Sequence, residues 1–426
     1  MSLIKAQGAG DASTGFYGFT IDQSLRFEDG DSPYLNRTPG SAGNRRTWTW
    51  SCWVRRGNIT SNQGIFGAES SGDRLVIGFG YGGTDQARFY SQSPSAEIYT
   101  NQVFRDSSAW YHIVWAVDTT QSTSSNRVKL YVNGEQVTSF AGASYPSQNS
   151  DLSVNNTVAQ YVGRWAGYDG DYFDGYLAEM HLVDGSQLTP SSFGETKAGI
   201  WIPKSYTGSH GTNGFYLPFD DSSAIGDDES ANTNDFTANN LAATDVVPDS
   251  PTNNWCIWND LAVSNITLSE GNLKGTSTSS LQGGIDGTFT ASSGKWYWDI
   301  NVIANSSRGS MGIINRPFVD YSANESGTYM YLPNGKKRQT TSDSSYGASY
   351  TDGDIIGIAL NLEDGEVTFY KNGSSQGVAF TSLSGEFTPW IQDGSGSGTP
   401  TLFANFGQDS SFAGNETAQG NTDDNG

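Results

Sequence analysis

Residue types that perform catalysis are sparse in this chain and poorly spaced for it. The tightest carboxylate group beside an apolar strand is Glu363, Asp364 and Glu366 in NLEDGEVTFYKNG. Bond cleavage by a carboxylate pair in retaining chemistry needs the two groups about 5 Å apart on a rigid element. These three straddle an Asp-Gly turn, from which side chains diverge into solvent. No strand with a Glu-x-Asp-x-Glu pattern occurs. Gly373-Ser374-Ser375-Gln376-Gly377 spells a nucleophile elbow, but that motif joins a strand to a helix and needs a histidine partner, and here it joins two strands. His112, His181 and His210 show no metal spacing, and the first two fall in strands that read as half buried, so they are structural. Catalysis is therefore not expected. Hard oxygen ligands, by contrast, are plentiful in Asp169, Asp171 and Asp174 and again in Asp220, Asp221, Asp227, Asp228 and Glu229, without the spacing of an EF-hand loop.

The bulk properties narrow the partners. With 45 acidic and 23 basic residues the formal charge is -22, a field that repels nucleic-acid phosphates and anionic membrane surfaces. The basic pairs Arg45–Arg46 and Arg55–Arg56 and the run 336–338 read as solvated turn charges. No apolar run approaches the roughly 20 residues of a membrane span, and MSLIKAQGAGDASTG has no apolar signal segment. Synthesis in a cytoplasm, with no membrane insertion, is the expectation. Cys52 and Cys256, each flanked by tryptophan in an apolar strand, read as buried thiols in different domains.

The elements around these residues are strands. Gly occurs 52 times, aromatics make up 13%, and extended 3.6-residue periodicity is missing. Strands are predicted at 24–27, 47–56, 74–80, 87–92, 110–118, 127–134 and 159–165, then at 294–303, 310–318, 329–338, 353–373, 377–380, 387–393 and 401–408. In TWTWSCWV, Trp48, Trp50, Cys52 and Val54 share one parity while Trp53 breaks it, which implies a strand covered on both faces. VKLYVNG at 128–134 is echoed by VTFYKNG at 367–373, each an alternating strand ending in an Asn-Gly turn after a long apolar strand. Asp364-Gly365 adds a two-residue hairpin signal, and Thr189-Pro190 opens a single helical turn. The domain plan is an N-terminal arm (1–16), a first sandwich (17–200), an ordered Asp/Asn-rich connector (201–254), a second sandwich (255–412) and a polar tail (413–426). The fold class is all-β, two antiparallel jelly-roll sandwiches. The tail closes no element, and a longer or cleaved product is expected.

Motif order carries two resemblances. WTWSCWVRRG, WYHIVWAVD, RVKLYVNGEQV, YVGRW and FDGYLAEMHLVDGSQLTPSSF resemble a laminin-G-like, concanavalin A-like domain over about 20–195. GKWYWDI, MGII, YGASYTDGDIIGIALNLEDGEVTFYKNG, GVAF and NFGQDSSF resemble a SPRY domain over 272–412. The whole arrangement, with SLRFEDGDSPYLNRTP and PTNNW, is similar to large structural proteins of marine bacteriophages. That likeness implies a virion component of fibre, appendage or decoration type, made in the host cytoplasm and released by lysis. Expected partners are other virion proteins, a host-surface glycan or protein, and further copies of the chain. A purely structural decoration or assembly protein and a polysaccharide depolymerase are the alternatives.

The resemblances also nominate residues. Laminin-G-like domains bind calcium at a sandwich rim, which points to Asp169, Asp171 and Asp174. SPRY domains hold ligands on loops at one end, which points to Arg308, Asn315, Tyr321, Tyr346 and Trp390. For a glycan stacked on an exposed ring in the first domain, Trp165 and Tyr168 are the candidates.

Overall fold

The strand TWTWSCWVRR spans Thr47–Arg56. Trp48, Trp50, Cys52 and Val54 alternate into a core between two sheets. Trp53 points the other way and is buried with Ile21 and Ala178, with Phe19, Trp110 and Trp201 packed alongside. The break in parity therefore has the expected cause. The computed structural model describes residues 16–70, 72–80, 82–167, 170–278, 283–304, 307–316, 327–394 and 398–417. The chain folds as two units, with the boundary in sequence between Asn254 and Trp255.

In the first unit one antiparallel sheet runs Glu135–Gln136, Val128–Val132, Tyr111–Asp118, Thr47–Arg56, Gly175–Asp184, Ser24–Phe27, Val246–Val247, and Phe215–Leu217 also joins Gly175–Asp184. The facing sheet runs Phe140–Ser144, Ala96–Val103, Gln86–Ser91, Asp73–Phe79, Gln63–Ser70, Ala159–Val162, Tyr34–Arg37, Thr237–Asn239. Residues 201–254, expected as a connector, thus supply strands to both sheets of this unit. The reason is apolar burial: Phe215, Leu217, Phe219 and Phe236 lie in the same core as Trp48 and Trp50.

Charge ties this segment down as well. Arg55, read from sequence as a solvated turn charge, is wholly buried and pairs with buried Asp249 at 2.5 Å. It also donates to the Ser107 carbonyl (2.9 Å) and to Asn254 Oδ1 (2.8 Å), while Trp110 Nε1 donates to the second Asp249 oxygen (3.2 Å). Arg56 is equally buried and pairs with Asp85 at 2.9 Å. Both arginines lie inside the ten-residue strand, so no turn exposes them and each is matched by an anion.

The second unit is also two antiparallel sheets. One runs Trp258–Ser264, Gly283–Gly287, Glu386–Asp393, Gly309–Arg316, Thr328–Tyr331, Lys336–Gln339, Ser342–Ser345. The other runs Ile266–Ser269, Lys274–Ser277, Thr401–Asn405, Lys295–Ala304, Ile355–Asn361, Glu366–Lys371, Ser374–Phe380. Ile300, Ile313, Ile356, Ile358, Phe369 and Phe403 fill the space between them. Beyond the last strand, Glu416 accepts a hydrogen bond from Asn301 (3.0 Å).

The echoed Asn-Gly pairs are two-residue hairpins with positive φ at both residues: 48° and 85° at Asn133-Gly134, 47° and 75° at Asn372-Gly373. In both units the asparagine also clamps the start of the preceding strand. Asn133 N donates to the His112 carbonyl (2.9 Å) and its Oδ1 accepts from His112 N (2.8 Å). Asn372 makes the same pair of bonds with Ile355, both at 2.8 Å. Asp364-Gly365 does not form a two-residue turn, because Asn361 pairs with Glu366 across four residues. Asn361 Oδ1 accepts from the amides of Glu363 and Asp364 and caps that loop. The turn at Pro190–Ser192 is a 3-10 turn in which Thr189 bonds to Ser191 Oγ rather than capping the backbone.

Two stability outcomes follow. Asp249→Ala leaves Arg55 charged and buried, and destabilises the first unit by about 3–5 kcal/mol in urea unfolding. Asn372→Ala removes the clamp and strains a positive φ, and lowers the stability of the second unit by about 1–2 kcal/mol.

Candidate functional site

Strand alternation places Tyr34, Tyr161, Glu69, Arg74, Arg88, Tyr90 and Tyr99 on the outer face of the second sheet of the first unit. Arginines interleave with these rings. Arg164 lies 4.3 Å from the Tyr161 centroid and 5.1 Å from that of Tyr34. Arg88 stands over Tyr90 at 5.0 Å and over Trp165 at 5.4 Å, and Arg74 over Tyr90 at 5.7 Å. Tyr34 contacts Tyr161 and Tyr172 at 6.0 and 6.4 Å. Tyr34, Tyr161, Arg164 and Tyr172 are half-buried. Tyr161 donates to Glu69 Oε1 (3.2 Å), and burial, reinforced by that carboxylate, pushes its phenol pKa up. Such a face can stack an apolar C–H surface and donate hydrogen bonds from phenols and guanidinium groups.

The nominated residues fall differently. Trp165 is only 7% exposed and packs on Val76 and Ala166 beneath Arg88, so it anchors its loop instead of offering a platform. Trp390 is fully buried with Ile314, Met330 and Leu332 and cannot reach a ligand. Gly284 makes room for its ring, since a Cβ there would lie 2.3 Å from it. Arg308 pairs with Asp393 (2.8 Å) and donates to the carbonyls of Gly394 and Gly398. Asn315 donates to the Ser384 carbonyl (3.3 Å). Tyr346 accepts from Phe369 N (3.2 Å) and donates to the Gly377 carbonyl. Arg308 precedes Gly309–Arg316 and Asn315 is its penultimate residue, about 23 Å apart at strand rise, so the set does not converge at one end of the sandwich. Tyr168, Asp169 and Tyr321 lie outside the described residues. Asp171 bonds through its side chain to Asn62, whereas Asp174 is buried beside Glu28 and Asp29.

The three histidines, scattered in sequence, gather on the outer face of the first sheet. Ser51 Oγ lies 2.9 Å from His112 Nε2, the spacing of a nucleophile and its base. Trp201 Nε1 donates to His112 Nδ1 (3.0 Å), so Nδ1 accepts and Nε2 carries the proton toward Ser51. That tautomer cannot take a proton from Ser51, which is itself fully buried. His181 stacks on Tyr216 (4.4 Å) and reaches His210 Nε2 with its Nδ1 (3.2 Å). Glu179, in a backbone irregularity of the same strand, accepts from Tyr216. Burial, with His181 nearby, lowers His112 to about 3 and His210 to about 4, the latter opposed by Asp228.

These two units are a concanavalin A-like sandwich and a SPRY sandwich. Residues 29–192 match the laminin-G-type model of the concanavalin A-like lectin/glucanases superfamily, and residues 295–406 match the SPRY domain. Among curated proteins, Ran-binding protein 9 of Xenopus tropicalis is 32% identical over 126 residues, which cover 28% of this chain and 22% of that protein. Ran-binding protein 10 of Danio rerio is 31% identical over 132 residues, covering 28% and 20%. The dual specificity protein kinase splA of Dictyostelium discoideum is 49% identical over 47 residues, covering 11% and 2%. The chain thus spans about a fifth or less of the length of these relatives. Among solved structures, the SPRY domain of human HERC1 is similar at 18% identity and a TM-score of 0.33, covering 35% of this chain and 98% of that one.

The histidine cluster predicts a pH response. A histidine kept neutral in the fold but protonated in the unfolded chain contributes nothing above pH 6.5 and costs stability below it, about 1.4 kcal/mol per pH unit, until the folded pKa is reached. His112 faces Ser51, Trp53, Trp201 and His181, and His210 faces His181, Asp228, Tyr206 and Tyr216; Glu179 and Lys204 border the same recess. Thermal unfolding of the first unit therefore shifts downward between pH 6.5 and 4, and His112→Gln flattens part of that slope.

Proposed function

We propose that the chain is a non-enzymatic adhesive protein whose concanavalin A-like domain holds a glycan on the outer face of its second sheet. The observation that carries the reading is the Tyr34–Arg164–Tyr161 stack, half-buried rings with guanidinium donors between them. Sugars present C–H faces to such rings while their hydroxyls take the donors. The carboxylates on this face favour binding over cleavage. Glu69 and Glu97 stand on Gln63–Ser70 and Ala96–Val103, three strand steps apart in the sheet. That is about 14 Å, beyond the reach of either hydrolytic geometry, and Glu97 is engaged by Arg88.

The SPRY domain binds a protein neighbour in this account, a role in keeping with the name of its Ran-binding relatives. A virion surface, as fibre, appendage or decoration, is the proposed setting, supported by the likeness of the arrangement to marine bacteriophage structural proteins. Assembly in the host cytoplasm, release by lysis and association with further copies belong to the same proposal. A purely structural decoration role is the second reading, since interaction modules of this type can also hold only virion neighbours.

Glycan-array and host-cell binding by the purified full chain tests the proposal. Binding is expected, with Tyr34→Ala and Arg164→Ala each weakening the best glycan about tenfold. Failure to bind glycans or cells, together with addition to virions that lack the chain, assigns it to decoration instead.

A further inference from the structure

Strand pairing extends the tyrosine platform sideways. Tyr161 stands opposite Asn36, and Asn36 stands opposite Thr237 on the edge strand Thr237–Asn239. Residues opposite one another in a sheet share a face, with Cβ atoms about 5 Å apart, so Asn36 and Thr237 continue the row that Tyr161 begins. Together with Thr38, Thr233, Asn234 and Asp235 they line a cavity of about 370 Å³. That is the lower end of the roughly 300–1,000 Å³ of ligand pockets, and the lining is polar where such pockets are mostly apolar.

One wall is held firmly. Arg37, only 8% exposed, lies over the rings of Phe215 and Phe236 at 5.9 and 5.6 Å. It donates to the Asn213 carbonyl (3.2 Å) and to Asn234 Oδ1 (3.1 Å), and Asn234 Nδ2 donates to the carbonyls of Thr212 (3.1 Å) and Gly214 (2.8 Å). Other groups are left for a ligand. Asn36 Oδ1 accepts from Asn239 (2.8 Å), which leaves Nδ2 to donate, and Asp235 Oδ1 accepts from Asp228 N (3.1 Å), which leaves Oδ2 to accept. Among the described residues, that Nδ2, that Oδ2 and the hydroxyls of Thr38, Thr233 and Thr237 have no hydrogen-bond partner. The cation of the wall, Arg37, already faces two carboxylates, Asp228 and Asp235, so the local charge balance is negative.

We propose that this pocket holds a neutral sugar unit beside the one stacked on Tyr34 and Tyr161, an assignment that rests on the glycan platform proposed above. An amide donor, a carboxylate acceptor and three hydroxyls that serve either way match the adjacent hydroxyls of one sugar ring. An acidic unit is disfavoured, because its carboxylate would meet Asp235 without a spare cation to offset the repulsion. Residues 233–237 lie outside the matched stretch 29–192, so one wall of the pocket comes from a segment beyond the common sandwich.

The test is calorimetry of the full chain with neutral oligosaccharides of two to four units, each paired with a counterpart ending in a uronate. The best neutral ligand is expected to bind about tenfold tighter than its uronate counterpart. Asp235→Asn keeps an acceptor for Asp228 N, weakens the neutral ligand about tenfold and narrows that gap. Thr237→Val, at an exposed position, weakens the neutral ligand about threefold, and both variants keep the parent's Tm. Unchanged binding in both variants, or a uronate counterpart that binds more tightly to the parent, overturns the pocket; if Tyr34→Ala still weakens binding, the platform stands without it. Binding that the two pocket variants weaken and Tyr34→Ala does not supports the pocket and overturns the platform. No binding of any of these oligosaccharides overturns both.

Discussion

The buried pairing of Arg55 with Asp249 organises the first domain. A guanidinium in the middle of a sheet face is tolerable only where an anion and further acceptors meet it, and here Asp249, Ser107 and Asn254 do so. The pair holds the end of the 201–254 segment against the first sheet, whose outer face is also covered by Phe193, Tyr206 and Trp201. Around Trp53 and Val114 that outer face is therefore closed by its own chain. The second sheet carries its aromatic rings half-buried, and the proposed ligand binding is placed on it for this reason.

The echo between VKLYVNG and VTFYKNG has a physical basis that does not require a shared function. In each sandwich the asparagine turns a hairpin through positive φ and also holds the start of the preceding strand, at His112 or Ile355, by two backbone-directed bonds. The device registers three strands at once, which a long all-β chain needs because pairing partners are otherwise easily slipped. The same clamp appears in a laminin-G-type and a SPRY-type domain, so what distinguishes the two lies on their faces and rims.

Much of this fold was legible from alternation alone. TWTWSCWVRR, WYHIVWAVD and VKLYV announce their faces because each apolar parity maps onto one core. QGIFGAES and AEIYTNQV, which form Gln63–Ser70 and Ala96–Val103, carry no clear strand signal. Their glycines and polar ends mimic loops until neighbouring strands pair with them. Arg55 and Arg56 misled because charge type says nothing of a distant partner, and Asp249 is far along the chain. Trp165 and Trp390 misled for a related reason: an aromatic residue suits a platform or a core equally, and only the third dimension decides. The meeting of Glu28 and Asp29 with Asp174, and of three histidines on one face, depends on strand pairing between remote segments. No local spacing encodes either.

The account's central claim is that ligand lies on the outer face of the second sheet. Hydrogen–deuterium exchange of the full chain, with and without its best array glycan, tests this most directly. The prediction is slowed exchange in Tyr34–Arg37 and Ala159–Val162 and in the Arg164 loop, with the first sheet unchanged. Protection confined to the first sheet or to the SPRY domain would contradict it.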